Sequence, residues 1–413
     1  MASNHPCERI LVPLGNPVIV VRLGARYRKD EVGMMSVDDS GGAPPAKRDT
    51  QLYSHSEEAR TAVTAKRVTR TRATYAEVGV DRDRAALANE RIKLTARRSF
   101  NKNVLSEIGG FAGLFSLDAE RFPEPVLVAS TDGVGSKLQL AAQLGLHGSI
   151  GSDLVNHCVN DVAVQGATPL FFLDYFAAGE LDANVVEQVI GGIVEACRAN
   201  GCALLGGETA EMPTLYRGKE YDLAGFMVGV VSHAKMLSGE SISEGDILLG
   251  LPSNGLHTNG YTLARKLLFE TAGYRADQYV NELGDKVGAA LMRSHRSYLA
   301  PIRKLLQAEV AHAFAHITGG GLTENLPRIL PKGFAAQVEL ASWEPPPLFA
   351  HLQTLGSVEN EEMLRAFNMG IGLVAVVPAA LLKKARLVLS RMNERSIVLG
   401  RIVRGQQRKV VYC

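Results

Sequence analysis

Pro125-Val-Leu-Val-Ala129 runs directly into Ser130-Thr-Asp-Gly-Val-Gly-Ser-Lys137. The first five residues are an apolar run of the kind that forms a buried strand. The next eight hold two glycines, an acid and a lysine. Gly133 and Gly135 let the backbone turn sharply and bring unobstructed N–H groups close to an anion. Asp132, at the strand end, is placed to coordinate a Mg²⁺ that bridges phosphate oxygens, and Lys137 adds a positive charge. The P-loop spacing G-x-x-x-x-G-K is not met, because Ser136 separates Gly135 from Lys137 and Gly133 is too near. A plain Asp-Gly turn between strand and helix has the same spacing, so both readings stay open here.

Other acids repeat the arrangement. Asp153, Asn160-Asp161, Asp174 and Glu208 fall at expected strand or helix ends, often beside glycine or another small residue. Carboxylates converging on one sheet edge repel one another unless a divalent cation sits among them, which favours a Mg-nucleotide site. Singly, each acid reads more simply as a helix cap or turn residue.

Around these acids the chain alternates apolar strands with amphipathic helices, an α/β (α+β) pattern of two mixed domains. Val185, Val189, Ile193 and Cys197, beside Val186, Ile190 and Val194, form one apolar helix face, which Gly201 ends. Cys202-Ala-Leu-Leu205 is a short buried strand leading into Gly206-Gly-Glu-Thr209. Leu170–Asp174 and Leu223–Val231 are further strands, and their unbroken apolarity predicts a sheet covered on both faces. A second unit begins near Ser241, with Ile247–Leu251 as its first strand. The domains are therefore 1–72, an extension; 73–238; and 239–413.

The second unit has its own polar loops. Ser253-Asn-Gly-Leu-His-Thr-Asn-Gly260 joins a strand to a helix over Tyr261–Phe269, and its donors suit a phosphate. His316 stands just ahead of Thr318-Gly-Gly-Gly321, where a histidine serves as acid, base or electrostatic partner, or simply packs in the core. His312 is four residues before it, but Ile317, Thr318 and the glycines favour a strand, which separates the two histidines and argues against a helical metal pair.

The 413 residues suggest two or three units at about 150 residues each. With 45 Lys plus Arg against 43 acids, the chain has no general attraction to nucleic acid or anionic lipid, so an anionic ligand must be held locally. Five cysteines without CxxC spacing suit a reduced, cytoplasmic chain, and no apolar run is long enough to span a membrane. Residues 1–72 combine the linker-like Asp38–Pro45 with the basic run Lys66–Arg72. Eight acids argue against a transit peptide, leaving a solvated disordered tail or a nucleic-acid-binding arm; Met34-Met35 also permits an internal start.

Taken together and in order, Ser130–Lys137, Val159-Asn-Asp161, Gln165-Gly-Ala167, Leu170–Tyr175, Gly206-Gly-Glu-Thr-Ala-Glu-Met-Pro213, Ser253-Asn-Gly255, His257-Thr-Asn-Gly260 and His316-Ile-Thr-Gly-Gly-Gly321 resemble the phosphoribosylformylglycinamidine cyclo-ligase family. The resemblance covers the chain from about Thr74 to the C-terminus. It implies ATP-dependent ring closure of formylglycinamidine ribonucleotide to aminoimidazole ribonucleotide, with Mg²⁺, in a homodimer whose N-terminal domains combine strands into a β-barrel. By position it assigns Lys93, Gly109, Gly110, Asp132, Gly133, Gly135, Lys137, Asp161, Glu208 and Thr209 to the nucleotide. It assigns Asp132, Asp161 and Glu208 to the metal. Ser253, His257, Asn259, Thr318, Gly319 and Gly320 fall to the substrate, and His316 with Asp132 to catalysis. The chain departs from the family at Ser294-His295, where Pro-Thr is usual before Arg296. Relatives of the same architecture, selenophosphate synthetase and thiamine-monophosphate kinase, are the rival readings; the first needs a reactive cysteine or selenocysteine that residues 73–157 lack.

Overall fold

The computed structural model describes residues 19–22 and 82–413. The linker-like run, the basic run and the two methionines of the extension lie outside them. Two sheets carry the architecture. The first has the order β1-β2-β5-β3-β4, from β1 (Ile19–Arg22), β2 (Pro125–Gly133), β3 (Thr168–Ala178), β4 (Ala203–Glu211) and β5 (Tyr221–Ser232). Its neighbours pair antiparallel except β3 with β4, which are parallel and joined by a helical crossover. The second contains β6 (Ile247–Pro252), β9 (Ala313–His316), β10 (Phe334–Val338), β11 (Ile371–Val377), β12 (Ile397–Arg404) and β13 (Val410–Tyr412), in the order β13-β10-β12-β6-β11-β9. A small hairpin, β7 (Tyr279–Val280) with β8 (Asp285–Lys286), stands apart.

Helices α1 (Arg82–Ala96), α2 (Lys137–Leu144), α3 (Gly148–Ala163) and α4 (Ala183–Asn200) belong to the first sheet. The stripe expected on α4 is buried at Val186, Val189, Ile190, Ile193, Val194 and Cys197, and Gly201 ends the helix at φ +71°. α3 and α4 cross closely because glycines face backbone there: a Cβ on Gly192 would stand 2.1 Å from the Gly148 carbonyl oxygen.

Covering of both faces, expected for the first sheet, is not found within one chain. β5 alternates buried and more open residues along Tyr221–Val228, and Phe226 on the open face is 43% exposed. The apolar run misleads because alanine, valine and glycine fill outward positions as readily as inward ones. It is β11, in the second sheet, that is buried along its whole length. β4 also runs past the expected end at Leu205, because pairing with β3 continues to Ala178 and Glu211. The helix expected over Tyr261–Phe269 is α for Tyr261–Arg265 (α5) and π for Lys266–Thr271.

One buried apolar cluster runs through both units, from Val126 and Leu154 to Tyr298 and Phe349, while a smaller one covers the other face of the second sheet. The units meet where α2 packs on α6 (Val287–Met292) and α3 on α7 (Leu299–Gln307). The polar side chains at that seam form the site described next.

Candidate active site

Asp153, His157 and Asp161 recur every fourth residue on α3 and therefore share one face, turned toward the second unit. His157 Nε2 is 2.7 Å from Asp132 Oδ2 and 3.8 Å from Asp161 Oδ2, so one imidazole lies between two carboxylates. Burial opposes its charge, but the Asp132 hydrogen bond and the charges of Asp161, Asp132 and Asp153 outweigh that and raise its pKa. Asp161 accepts from His316 Nδ1 at 2.8 Å and from Ser130 Oγ at 3.1 Å. Burial alone would raise the Asp161 pKa; those hydrogen bonds and the nearby His157 charge bring it below the usual carboxylate value. The second unit contributes His257, Thr258, His295 and His316. His257 stacks on His295 with centroids 4.1 Å apart, and its φ of +63° is a left-handed conformation uncommon for histidine.

Lys137 does not present its charge at the Asp132–Gly135 turn. Its side chain and that of Asp153 are both 0% exposed and meet at 2.6 Å, and the Lys137 ammonium also donates to the Arg293 carbonyl at 2.9 Å. The long side chain at the first turn of α2 points into the seam, where it pins residues 293–295, because Asp153 also accepts from the His295 N–H at 2.6 Å. This replaces the phosphate role expected of Lys137 with a structural ion pair.

The acids likewise do not form one cluster. Strand register puts Asp132, Gly225, Asp174 and Gly207 in a single row across four strands, and Glu208 beside Tyr175 in the next row, on the opposite face. Asp132 and Asp161 belong to the seam and Asp153 to the lysine pair. Asp174 is buried against Gly207, and burial pushes its carboxyl up to about 7. Opposing cations, His157 and Lys137, hold the seam carboxylates together, so the sequence argument that only a divalent ion could do so does not hold.

Glu208 and Thr209 line a different feature, a cavity of roughly 830 Å³ that also takes in Lys93, Gly109, Gly110 and Asp174. Lys93 from α1 lies against Gly109: a Cβ there would be 3.1 Å from its Nζ, and Gly109 has φ +108°, so the approach suits glycine. Gly133 and Gly135, at the end of β2 and in the turn into α2, do not line this cavity, although Gly133 shares a sheet row with Tyr175 and Glu208, which do.

The second-unit loops are largely braced internally. Ser253 Oγ donates to Gly255 O and Asn368 Oδ1, and Thr318 Oγ1 donates to Asn325 Oδ1 at 3.3 Å. Gly319 packs against Asn259, and Gly320 at φ +89° caps the short helix Gly321–Asn325. Asn259 Nδ2 and His257 Nδ1 are buried with no hydrogen-bond partner among the described residues, which marks them as groups with unused donor or acceptor capacity. His312 bonds Asp246 at 2.7 Å, well separated from the Asp161 contact of His316, in line with the strand reading. His157 was not singled out in the sequence, although its i, i+4 spacing from Asp153 and Asp161 was the available signal.

Two family models match the chain, the N-terminal domain of AIR synthase related proteins over residues 116–231 and the C-terminal domain over 243–413. A phosphoribosylformylglycinamidine cyclo-ligase from Alkaliphilus metalliredigens is 47% identical over 340 residues, 82% of this chain and 98% of the relative. The chain belongs to the phosphoribosylformylglycinamidine cyclo-ligase family. The cyclo-ligase of Desulfitobacterium hafniense is 48% identical over 338 residues, again 82% of this chain and 98% of the relative. Among solved structures, thiamine-monophosphate kinase from Stenotrophomonas maltophilia superposes with a TM-score of 0.58 at 19% identity, covering 78% of this chain and 95% of that one. Hydrogenase maturation protein HypE in complex with ATP gives 0.55 at 20%, covering 77% and 88%. These two share the fold; the cyclo-ligase family shares the sequence as well.

Proposed function

We infer that the protein is a ligase of purine biosynthesis that closes formylglycinamidine ribonucleotide to aminoimidazole ribonucleotide, using ATP and releasing ADP, phosphate and a proton. The observation that carries this is identity of 47% sustained over 98% of a curated cyclo-ligase. An amide oxygen leaves poorly. ATP phosphorylates the formamide oxygen, the amidine-side nitrogen attacks the activated carbon, and the C–O bond breaks with loss of phosphate. The protein contributes by holding the γ-phosphate against the formamide and bringing the two ends of one molecule together.

Lys93, the glycines 109 and 110, Glu208 and Thr209 are assigned to the nucleotide, which the cavity volume and the Lys93 ammonium support. Asn259 and His257, with their unpartnered buried nitrogens, are assigned to the substrate, together with the loop of Thr318, Gly319 and Gly320. Asp132, Asp161 and His316 are the reactive cluster. Mg²⁺, when bound with ATP, neutralises phosphate charge. The carboxylate oxygens of Asp132 and Asp161 would hold it in place of the His157 imidazole that now lies between them, whereas Glu208 projects from the opposite face and does not join them within one chain. A homodimer that pairs the open faces of two first sheets is part of the proposal, supported by the exposure of Phe226. Cytoplasmic residence is proposed from the cysteine pattern; among the described residues no helix is long and apolar enough to cross a membrane.

The test is direct. Purified protein with formylglycinamidine ribonucleotide and Mg-ATP should yield aminoimidazole ribonucleotide and ADP in equal amounts, with no ADP when the ribonucleotide is omitted. Absence of the imidazole product refutes the assignment.

A further inference from the structure

A second cavity, of roughly 680 Å³, lies where α3, α4 and α7 meet. Ser152 and Asn156 reach it from the side of α3 next to the one that carries Asp153 and His157, and none of its lining residues is among those assigned to nucleotide, metal, substrate or catalysis. Its polar lining has a definite sense. The Ser152 hydroxyl donates to the Gly192 carbonyl at 2.9 Å, that of Ser294 to Asp153 Oδ1 at 3.2 Å, and that of Ser297 to Asn200 Oδ1 at 2.6 Å. Asn200 Nδ2 donates to Asn156 Oδ1 at 2.9 Å and to the Ala196 carbonyl at 2.7 Å, and Asn156 Nδ2 to the His295 carbonyl at 2.7 Å. The hydroxyl hydrogens are therefore spent inside the protein. What this lining offers a ligand is oxygen lone pairs, which take hydrogen bonds from hydroxyl groups and repel an anion.

α7 brings the opposite character to the same cavity through Arg303 and Lys304. Among the described residues no hydrogen bond or ion pair reaches either side-chain cation. Arg303 is half-buried, and burial together with the like charge of Arg121 lowers its pKa. An arginine stays charged even so, and a half-buried guanidinium without an anion carries a desolvation cost that a bound anion offsets. The acid of the lining, Glu195, is already held by Arg98 at 2.6 Å and Arg198 at 3.4 Å. Ala196, Ala199 and Ala300 leave room beside these groups, and the volume is that of a small-molecule site. We propose that this cavity binds a sugar phosphate, with the phosphate on Arg303 and Lys304 and the sugar hydroxyls on the serine and asparagine oxygens. The guanidinium fork matches two phosphate oxygens and the ammonium adds a point charge. Inorganic phosphate alone satisfies only the cationic half.

The full-length protein is titrated by calorimetry with glucose 6-phosphate and, separately, with inorganic phosphate. Wild type should bind glucose 6-phosphate about tenfold or more tightly than inorganic phosphate, because hydroxyl contacts add to the phosphate contact. Arg303→Met should weaken glucose 6-phosphate about tenfold or more. Ala199→Phe, which fills the cavity from an exposed position without altering charge, should weaken it as much, and both variants should melt near the wild-type temperature. In the wild-type protein, glucose 6-phosphate should also slow phenylglyoxal modification of Arg303, read by peptide mass mapping, a measurement that needs no variant to fold. The proposal is overturned by wild type that takes up no glucose 6-phosphate, by uptake that both variants leave unchanged, or by Arg303 modified equally fast with and without it. Equal affinity for the two probes overturns the assignment to a sugar phosphate, the cavity then being a site for the phosphate group alone.

Discussion

Replacing Asp174 by asparagine should stabilise the protein, and by an amount that grows with pH. The side chain sits on β3 in the row with Gly207 and Gly225, and its burial outweighs the backbone hydrogen bond that favours its charged form. Burial pushes its carboxyl from 3.8 up to about 7, so the folded state binds a proton that the unfolded chain releases. A raised carboxyl contributes its stability fully below the unfolded value and loses it as pH rises through the folded one. At about 1.36 kcal/mol per unit, the difference of roughly three units amounts to about 4 kcal/mol of strain above pH 8, of which some 2.5 kcal/mol appears between pH 5 and pH 8. Asp174→Asn keeps the shape and removes the titration. Thermal and urea unfolding of both proteins at pH 5, 6.5 and 8 should show the gap in favour of the variant widening steadily. A gap that stays flat over this range, or one that closes toward pH 8, would refute the argument that Asp174 is protonated in the folded protein at pH 6.

Lys137→Ala leaves Asp153 buried without its partner and should cost about 3–5 kcal/mol in urea unfolding, whereas Lys137→Met with Asp153→Leu should recover more than half of that loss. Gly192→Ala sets a methyl against the Gly148 carbonyl and should cost about 1–3 kcal/mol, while Gly191→Ala, which meets nothing within 4 Å, should be neutral or slightly stabilising in the same melts. Glu208→Ala should raise the KM for ATP about tenfold and leave the KM for the ribonucleotide unchanged; equal effects on both would detach Glu208 from the nucleotide cavity.

Much of the fold is legible in local pattern. The α4 stripe, the Gly201 stop, the strand at Pro125 and the start of the second sheet at Ile247 all follow from periodicity and from residues with restricted or permissive backbones. The open face of the first sheet is not legible, because small apolar side chains are compatible with either face and only the register shows which are covered. Lys137 reads as a phosphate ligand next to two glycines and is instead consumed by Asp153, sixteen residues on, an ion pair that neither residue's neighbours announce. The same holds for His157 and His295, which lie on different units and acquire their meaning only when α3 meets the loop before α7.

The amino-acid order alone determined the family, the two α/β units and the set of polar residues available for chemistry, because motifs, periodicity and glycine positions act over a few residues. Tertiary structure decided which of those residues face each other. It divided the acids between the seam and the Lys93 cavity and supplied histidine and lysine as their counter-charges. Pairings across 16 to 155 positions depend on where helices cross and strands register, and that is settled by burial of the whole core.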